Sequence, residues 1–356
     1  METTALRELT TVDGSFASVC VDDSHDTADA EKQRELRWQA TRAELADLGA
    51  PERTLAALDT AATDREPPVG EGGMFLVAAG DRVLVDEELP APPPRAIARV
   101  SRAPFLLPLA SLGTRGPRRL VVTVDSVGAT ITARDARGRE LDTGEVRGQD
   151  HPVHKVRGAG PGHRTVQART EETVRHNLKD VADEVVKAAG RLGAGIVVLS
   201  GEVQARRGLL DLLPEHIRER TEEVSADATA EDISEAAARH QLARLDQTAE
   251  KFRTESGRTH GLAVQGIEAV TTVLREGNAE TLLVTEPGDT TVACGPEPGT
   301  VAATADELKA YGVDDPVWTL ADEALPFAGV ATGAALVRSD ERLDLADGFG
   351  AILRHA

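Results

Sequence analysis

Histidines at short spacing stand out in the middle of the chain. His151 and His154 form an HxxH pair, and His163 follows in the same polar stretch. Paired imidazoles at this spacing occur in zinc sites, which complete their ligand set with further histidines, thiolates or carboxylates. The stretch contains no cysteine, and HxxH within a polar loop is weak evidence for a metal. We therefore predict no metal site and expect these histidines to contact solvent or a binding partner.

Glycines alternate in the same stretch, as Gly158-x-Gly160-x-Gly162. Glycine-rich loops that hold phosphates follow a buried strand and continue into Lys-Ser or Lys-Thr. Neither feature is present, so the pattern predicts no nucleotide site and no cofactor.

Two carboxylates, Asp125 and Asp135, follow neighbouring strand-like segments. A two-metal nuclease needs three or four acidic ligands around its Mg²⁺ ions. No such set is visible, so we expect strand-end residues rather than a catalytic pair. The sequence therefore predicts no catalytic residues.

The charge of the chain is uneven. The formal net charge is −20, with −9 in residues 1–112, zero in 113–231 and −11 in 232–356. Within the neutral middle, one segment has five basic side chains against Asp150 alone: Arg147, Lys155, Arg157, Arg164 and Arg169. An exposed segment with this balance can meet phosphates while the acidic ends keep the chain soluble.

Hydrophobic periodicity predicts strands and helices within three domains of an α/β fold. The first domain, residues 1–112, has a strand at 15–21, a helix whose inner face carries Leu36, Ala40, Ala43, Leu45 and Leu48, and a hairpin turning at Gly80-Asp81. We place Trp38 and Trp318 in cores.

The second predicted domain covers residues 113–231. Three strand-like segments precede the polar loop 147–164, and a helix follows whose apolar residues recur every three or four positions over 174–192. Residues 196–199 form a buried strand, and Arg118-Arg119 lie at a solvated domain edge. The third domain, 232–356, has predicted helices at 232–254 and 266–276 and a strand at 281–284.

Three segments resemble the archaeo-eukaryotic release factor and Pelota family. Residues 266–286 resemble its third-domain helix and Thr-Leu-Leu strand, and 348–354 resemble its terminal strand. Residues 158–177, ending in Arg175-His176-Asn177, resemble the release-factor loop and its following helix. Among bacterial proteins, the chain resembles the bacterial archaeo-eukaryotic release factor group that includes the Balon-type ribosome hibernation factors.

The resemblance implies an RNase H-like middle domain and an L7Ae/L30e-like C-terminal domain. In release factors a Gly-Gly-Gln motif at the loop tip positions water on the peptidyl ester. With the alignment fixed at Arg175-His176-Asn177, that Gln falls on Gly162 and the two glycines on Gly160-Pro161. Since glycine has no side chain to hold water, peptide release by that mechanism is not expected.

The resemblance therefore implies a non-enzymatic factor that occupies the ribosomal A site of the 70S ribosome during stress or dormancy. It also raises elongation factor Tu as a partner. The expected rRNA or tRNA contacts are Arg147, Lys155, Arg157, Gly160, Gly162, His163, Arg164 and Arg169.

Two other functions stay open. One is a rescue hydrolase that acts on stalled peptidyl-tRNA, with His163 as general base. The other is an adaptor whose acidic ends bind proteins.

No secretion signal or membrane span is visible in the sequence, and Cys20 and Cys294 form no CxxC pair, so we expect a cytoplasmic protein. We also expect a monomer off the ribosome and no membrane partner.

Overall fold

The computed structural model describes residues 4–25, 29–65, 70–89, 91–111, 118–135, 138–148 and 162–356, with the backbone alone for 4–5, 111 and 162–171. They form two compact units, one from residues 1–112 with 245–356 and the other from residues 113–244.

The helices and strands are numbered along the chain. The first stretch contains a 3₁₀ helix (Thr4–Thr11), β1 (Phe16–Asp22), α1 (Ala30–Asp47), α2 (Glu52–Asp64), β2 (Gly73–Ala79), β3 (Arg82–Leu89), β4 (Ile97–Ser101) and α3 (Leu107–Ser111). The middle contains β5 (Arg119–Val124), β6 (Gly128–Arg134), β7 (Glu140–Arg147), α4 (Gly162–Leu192), β8 (Ile196–Gly201), α5 (Val203–Leu212), α6 (Glu215–Arg218) and β9 (Thr221–Glu223). The last stretch contains α7 (Ala230–Ser256), β10 (Ala263–Gln265), α8 (Ile267–Arg275), β11 (Ala279–Val284), β12 (Thr291–Cys294), β13 (Val301–Ala302), α9 (Ala305–Ala310), β14 (Val317–Leu320), α10 (Ala321–Thr332), β15 (Ala335–Arg338), a 3₁₀ turn (Ala346–Gly348) and β16 (Phe349–Leu353).

The unit made of the two chain ends contains a four-stranded antiparallel sheet in the order β3-β2-β1-β4. Because side chains alternate along a strand, β1 presents Ala17 and Val19 to one face and Phe16 and Cys20 to the other. The first face packs under α1 and α2. The second face shares a core with residues of the last stretch, and Phe16 meets Phe327 edge to face at 5.5 Å. Residues from both ends of the sequence therefore build one hydrophobic core.

The last stretch adds two further sheets to this unit, ordered β10-β16-β11-β15 and β13-β12-β14. α8 and α10 pack on β11 and β16 within the shared core. On the other face, Phe252 of α7 packs against Leu283 and Ile352. The larger of these sheets is therefore covered on both sides by helices.

The middle unit is a five-stranded sheet in the order β7-β6-β5-β8-β9. β5, β6 and β7 are antiparallel neighbours, while β8 runs parallel to β5 and to β9. α4 and α5 cover one face, where Val181 and Val185 are fully buried. On the other face Ala237 of α7 packs against Ile196 and Val198. The α/β class predicted from the sequence is confirmed.

Several local predictions match the structure closely. The hairpin forms between β2 and β3, and Gly80 at its turn has φ +63°, a left-handed value that glycine adopts without strain. The meander β5-β6-β7 and the buried strand β8 are also confirmed. The division into three domains with RNase H-like and L7Ae/L30e-like folds stays a prediction.

Some side chains lie where the sequence did not predict them. Leu45 is buried as predicted, but Leu36 and Leu48 are about half exposed, because the buried face of α1 carries Trp38, Thr41 and Leu45. Trp38 is in a core as predicted, but Trp318 is 54% exposed on β14, an outer strand of its small sheet. The prediction of a core position for Trp318 is therefore wrong.

Arg119 also departs from its predicted solvated position. Its side chain is 1% exposed, and its Nε and Nη1 groups have no hydrogen-bond partner among the described residues. Desolvation lowers the pKa of this guanidinium, and the nearby positive charge of Arg134 lowers it further.

In the part of the chain that the structure describes, no helix is long and apolar enough to cross a membrane.

Candidate functional site

The basic segment singled out in the sequence joins β7 to α4. β7 ends at Arg147, and α4 begins at Gly162 and runs for 31 residues. α4 covers the sheet with its residues from Val174 onward, and β7 is an outer strand that pairs with β6. The segment therefore leaves the edge of the sheet and returns into the helix that covers it.

The turn between β5 and β6 supports the strand end. The Asp125 carboxylate accepts hydrogen bonds from the backbone N–H groups of Val127 and Gly128, each at 2.8 Å. The Gly148 N–H donates to the Val127 carbonyl at 2.8 Å, just beyond the end of β7. Asp125 thus shapes the turn on which the end of β7 rests.

Asn177 of α4 completes this base. Its side chain is 2% exposed, and its Nδ2 group donates to the Ser126 carbonyl at 3.3 Å. A Cβ atom at Gly148 would lie 2.1 Å from Asn177 Cγ, so only glycine lets the strand end pass this close. The burial of Asn177 assigns its side chain to packing at the base of the loop.

The predicted contact residues divide into three groups. Arg147 is exposed, with its side chain 83% accessible, and its Nη2 lies 2.8 Å from Glu145 Oε2. Lys155, Arg157 and Gly160 lie outside the described residues. Gly162, His163, Arg164 and Arg169 belong to the first turns of α4, and their side chains lie outside the description. α4 therefore begins two residues before the predicted end of the loop at 164.

The HxxH pair and Asp150 also lie outside the described residues. Among the residues that are described, no group of three or more His, Cys, Asp or Glu side chains is placed to hold a metal ion. His176 is exposed on α4, with Nε2 3.8 Å from the Asp180 carboxylate.

Asp125 and Asp135 do not meet. Arg119 pairs with Arg134 and Val124 with Ala129, so β5 and β6 run in opposite directions and the two carboxylates follow opposite ends of the sheet. Asp135 accepts hydrogen bonds from the backbone N–H and the Nε of Arg139. Both carboxylates serve turns, in agreement with their prediction as strand-end residues.

Sequence comparison identifies the family. The family model described as "Bacterial archaeo-eukaryotic release factor family 2" matches residues 118–258. Two Mycobacterium tuberculosis proteins, Uncharacterized protein MT2704 of strain CDC 1551 / Oshkosh and Uncharacterized protein Rv2629 of strain ATCC 25618 / H37Rv, are each 38% identical to this chain. Each match covers 100% of this chain and 97% of the relative. The chain belongs to the bacterial archaeo-eukaryotic release factor family. The resemblance stated from its motifs is thus confirmed.

Solved structures with release-factor and Pelota names align with this family member at low identity. The archaeal translation termination factor aRF1 aligns over 98% of this chain and 96% of its own, at 15% identity and a TM-score of 0.23. S. cerevisiae Dom34 aligns over 80% of each chain, at 9% identity and a TM-score of 0.39. An archaeal Pelota, in a model of ribosome-bound Pelota and ABCE1, aligns over 99% and 93%, at 15% identity and a TM-score of 0.37. Family membership rests on the sequence matches.

Proposed function

We propose that this release-factor family member is a ribosome-binding translation factor that occupies the A site of the 70S ribosome during stress or dormancy, in the cytoplasm, without releasing peptide. The observation that carries the proposal is the combination of family membership with a chain that contains no Gly-Gly-Gln triplet. The family supplies the ribosome as partner, and the missing motif removes the hydrolytic step.

The base of the loop supports the alignment behind this proposal. Asn177 is buried against Ser126 and Gly148, so the Arg-His-Asn motif used to align the loop has a fixed place in the fold. Counting back from that fixed point places Gly162 where release factors carry their Gln. Glycine has no side chain to position water on an ester, so its presence there favours binding over catalysis.

The charge distribution supports contact through the loop rather than elsewhere. The unit formed by residues 113–244 has no net charge, while residues 1–112 and 245–356 carry −9 and −11. Phosphates repel acidic surfaces, so an approach to RNA is favoured where Arg147, Lys155, Arg157, Arg164 and Arg169 outnumber the acids. Arg147, at the foot of the loop, is exposed and available to such a contact.

Cosedimentation with vacant 70S ribosomes across a salt series tests the proposal. We expect binding that A-site tRNA abolishes and that weakens as salt rises, with a log–log slope of roughly −3.5 to −4.5 if five basic residues meet phosphates. Reversal of two charges, Arg157→Glu with Arg164→Glu, should lower affinity and reduce the slope by about 2. Adding elongation factor Tu to the same assay shows whether it raises the affinity.

A matched control uses arginines outside the loop. Arg53→Glu with Arg207→Glu changes net charge equally on exposed helical positions, and we expect it to leave ribosome affinity close to wild type. Full affinity in the loop variant, or equal losses in both variants, contradicts the assignment of the loop.

The rescue hydrolase is the second candidate, because His163 directly follows Gly162 at the start of α4. An imidazole there is the group beside the tip that could accept a proton near neutral pH. Hydrolysis of peptidyl-tRNA on stalled ribosomes that disappears in His163→Ala would favour this function. If the wild-type protein binds ribosomes and no hydrolysis occurs, the non-catalytic function stands.

A further inference from the structure

A groove lies between β7 and α4 in the middle unit. Its volume is about 520 Å³, and its floor is apolar, built from three strands and the second half of α4: Leu120, Ile131, Ala133, Val146, Ala188 and Leu192. Leu141 of β7 also lines it and is 51% exposed. Exposed leucine beside a concave apolar surface is a feature of binding sites for protein segments.

Within the residues that the structure describes, α4 and α5 leave the outer part of this sheet face uncovered. Among the described strands β7 pairs only with β6, and most of its residues are exposed. In a layered α/β unit the place beside a helix on the same sheet face normally holds another helix. The space alongside α4 and above β6 and β7 is therefore the place where a further helix would lie.

The rim of the groove is acidic. Asp142 stands on β7, Asp180 and Glu184 stand on α4, and Arg191 is the one basic residue of the lining within the described chain. Glu145 lies between Gly144 and Val146, so its side chain alternates to the opposite face of the sheet. Some of the rim charge is shared with neighbours, since Glu184 lies 3.7 Å from Lys187 and 3.2 Å from Arg191, and Asp180 lies 3.8 Å from His176. The remaining excess of carboxylates repels phosphates and attracts cations, so the groove is not a second RNA site.

The spacing of the α4 carboxylates indicates the form of the partner. Asp180 and Glu184 are four residues apart, so their side chains lie about 6 Å apart on one helix face. Lysines or arginines one turn apart on a parallel helix match that spacing. We propose that the groove binds a basic amphipathic helix of another protein, with apolar residues on the floor and cations against the two acidic rims.

The groove and the loop of the proposed function meet on β7, where Val146 of the lining directly precedes Arg147. On α4 they are far apart, since the lining residues lie 18 to 30 positions after Gly162, or roughly 27–45 Å along the helix. The groove also stands as a protein-binding site if the proposed ribosome function fails.

Fluorescence anisotropy with a labelled peptide tests the groove on the full chain. The probe is a leucine–lysine peptide of about 18 residues with a 3.6-residue apolar period. A second peptide has the same composition in strict alternation, and a third has glutamate in place of lysine. We expect measurable binding of the first peptide and at least tenfold weaker binding of the other two.

Charge-matched variants separate the groove from the general acidity of the chain. The double variant Asp142→Lys with Asp180→Lys should lower the affinity for the helical peptide about tenfold or more. The control variant Asp211→Lys with Glu215→Lys makes the same charge change on exposed residues of the same unit outside the groove. It should lower the affinity for the helical peptide less than twofold. Circular dichroism melts establish that both variants are folded.

A further variant, Ala133→Trp, fills the floor without changing charge and should also abolish binding. Equal losses in the two lysine variants, tight binding of the alternating peptide, or no binding of any peptide would overturn the proposal. If the chain self-associates and the double variant Asp142→Lys with Asp180→Lys does not, the groove binds a second copy of this chain. That result would likewise overturn the proposal.

Discussion

Arg99 of β4 holds two buried carboxylates of α10, and its removal should destabilise the unit formed by the chain ends. Its Nη1 lies 2.9 Å from Asp322 Oδ1 and 3.1 Å from Glu323 Oε1, and these acids are only 8% and 3% exposed. The guanidinium also lies 4.1 Å from the centre of the Phe105 ring. One side chain therefore joins residues that are more than 220 positions apart in sequence.

The magnitude follows from leaving two carboxylates without their cation. Breaking a buried ion pair costs about 3–5 kcal/mol, and a cation–π contact adds roughly 0.5–1 kcal/mol. Arg99 itself is 27% exposed, and water can replace part of what is lost. We expect Arg99→Met to lower the free energy of unfolding by about 3 kcal/mol. For a unit of two 112-residue stretches this is a fall in Tm of roughly 6–12 °C.

The pH dependence has a definite sign. Burial raises the pKa of Glu323, although its hydrogen bonds with Ser101 and Arg99 oppose the rise. Desolvation lowers the pKa of Arg99, but its hydrogen bonds to the two acids outweigh that effect and raise it overall. The folded state therefore holds the Glu323 proton more tightly than the unfolded state does. The stability that Glu323 contributes through this proton is complete below about pH 4.5 and falls as pH rises. The loss in Arg99→Met should therefore grow from acidic to neutral pH.

Urea unfolding followed by tryptophan fluorescence measures this loss directly, because both tryptophans, Trp38 and Trp318, lie in this unit. Trp38→Phe and Trp318→Phe backgrounds isolate one reporter each, and their midpoints should fall together in Arg99→Met. Arg53→Met is the control on an exposed arginine and should change the unfolding free energy by less than about 0.5 kcal/mol. A loss in Arg99→Met no larger than this control would refute the reasoning, and a midpoint that moves for one tryptophan alone would refute the shared core.

Further outcomes follow from single side chains. Glu323→Gln should flatten stability against pH between about 4.5 and 8, since it removes the group whose pKa burial raises; an unchanged pH profile in urea titrations would contradict this. Arg119→Met should stabilise the middle unit by about 1–3 kcal/mol. The reason is that the Nε and Nη1 groups of Arg119 are buried without a hydrogen-bond partner among the described residues, and the substitution removes both; calorimetry checks the sign. Gly148→Ala should destabilise the same unit by about 1–3 kcal/mol, and Asn177→Ala should recover part of that loss in the double variant. Burial raises the pKa of Cys20 to about 12, so this thiol should react with a maleimide at pH 8 far more slowly than after unfolding.

The parts of the fold that the sequence predicted depend on local patterns. The apolar repeat of α4 and the turn at Gly80 are set by neighbouring residues, and both are confirmed. The inner face of α1 was predicted correctly at Leu45 and wrongly at Leu36 and Leu48, because these leucines are as apolar as the residues that are buried. Which leucines face inward depends on α2 and on strands β1 and β4, and a helical repeat contains no information about their positions.

The candidate site shows the same limit. Asn177 was identified by its motif, but its packing role depends on Gly148 and Ser126, which come from other elements. The groove beside α4 was missed because its lining is spread over positions 120 to 192 and its apolar residues match those of an ordinary core. The sequence does show acidic residues in β7 and the four-residue spacing of Asp180 and Glu184. These features indicate a groove only when the positions of β7 and α4 relative to each other are known.

The distribution of charge connects the fold to the proposed function. All of the net charge of −20 lies in the unit built from the chain ends, while residues 113–244 sum to zero. An evenly acidic protein would weaken any phosphate contact over its whole surface within about one Debye length, near 8 Å at physiological salt. Since the acidity is confined to the unit of the chain ends, the proposed RNA contact and the proposed acidic groove both belong to a unit whose charges sum to zero. Both proposals therefore depend on where the charges of each sign stand within that unit and not on its total charge.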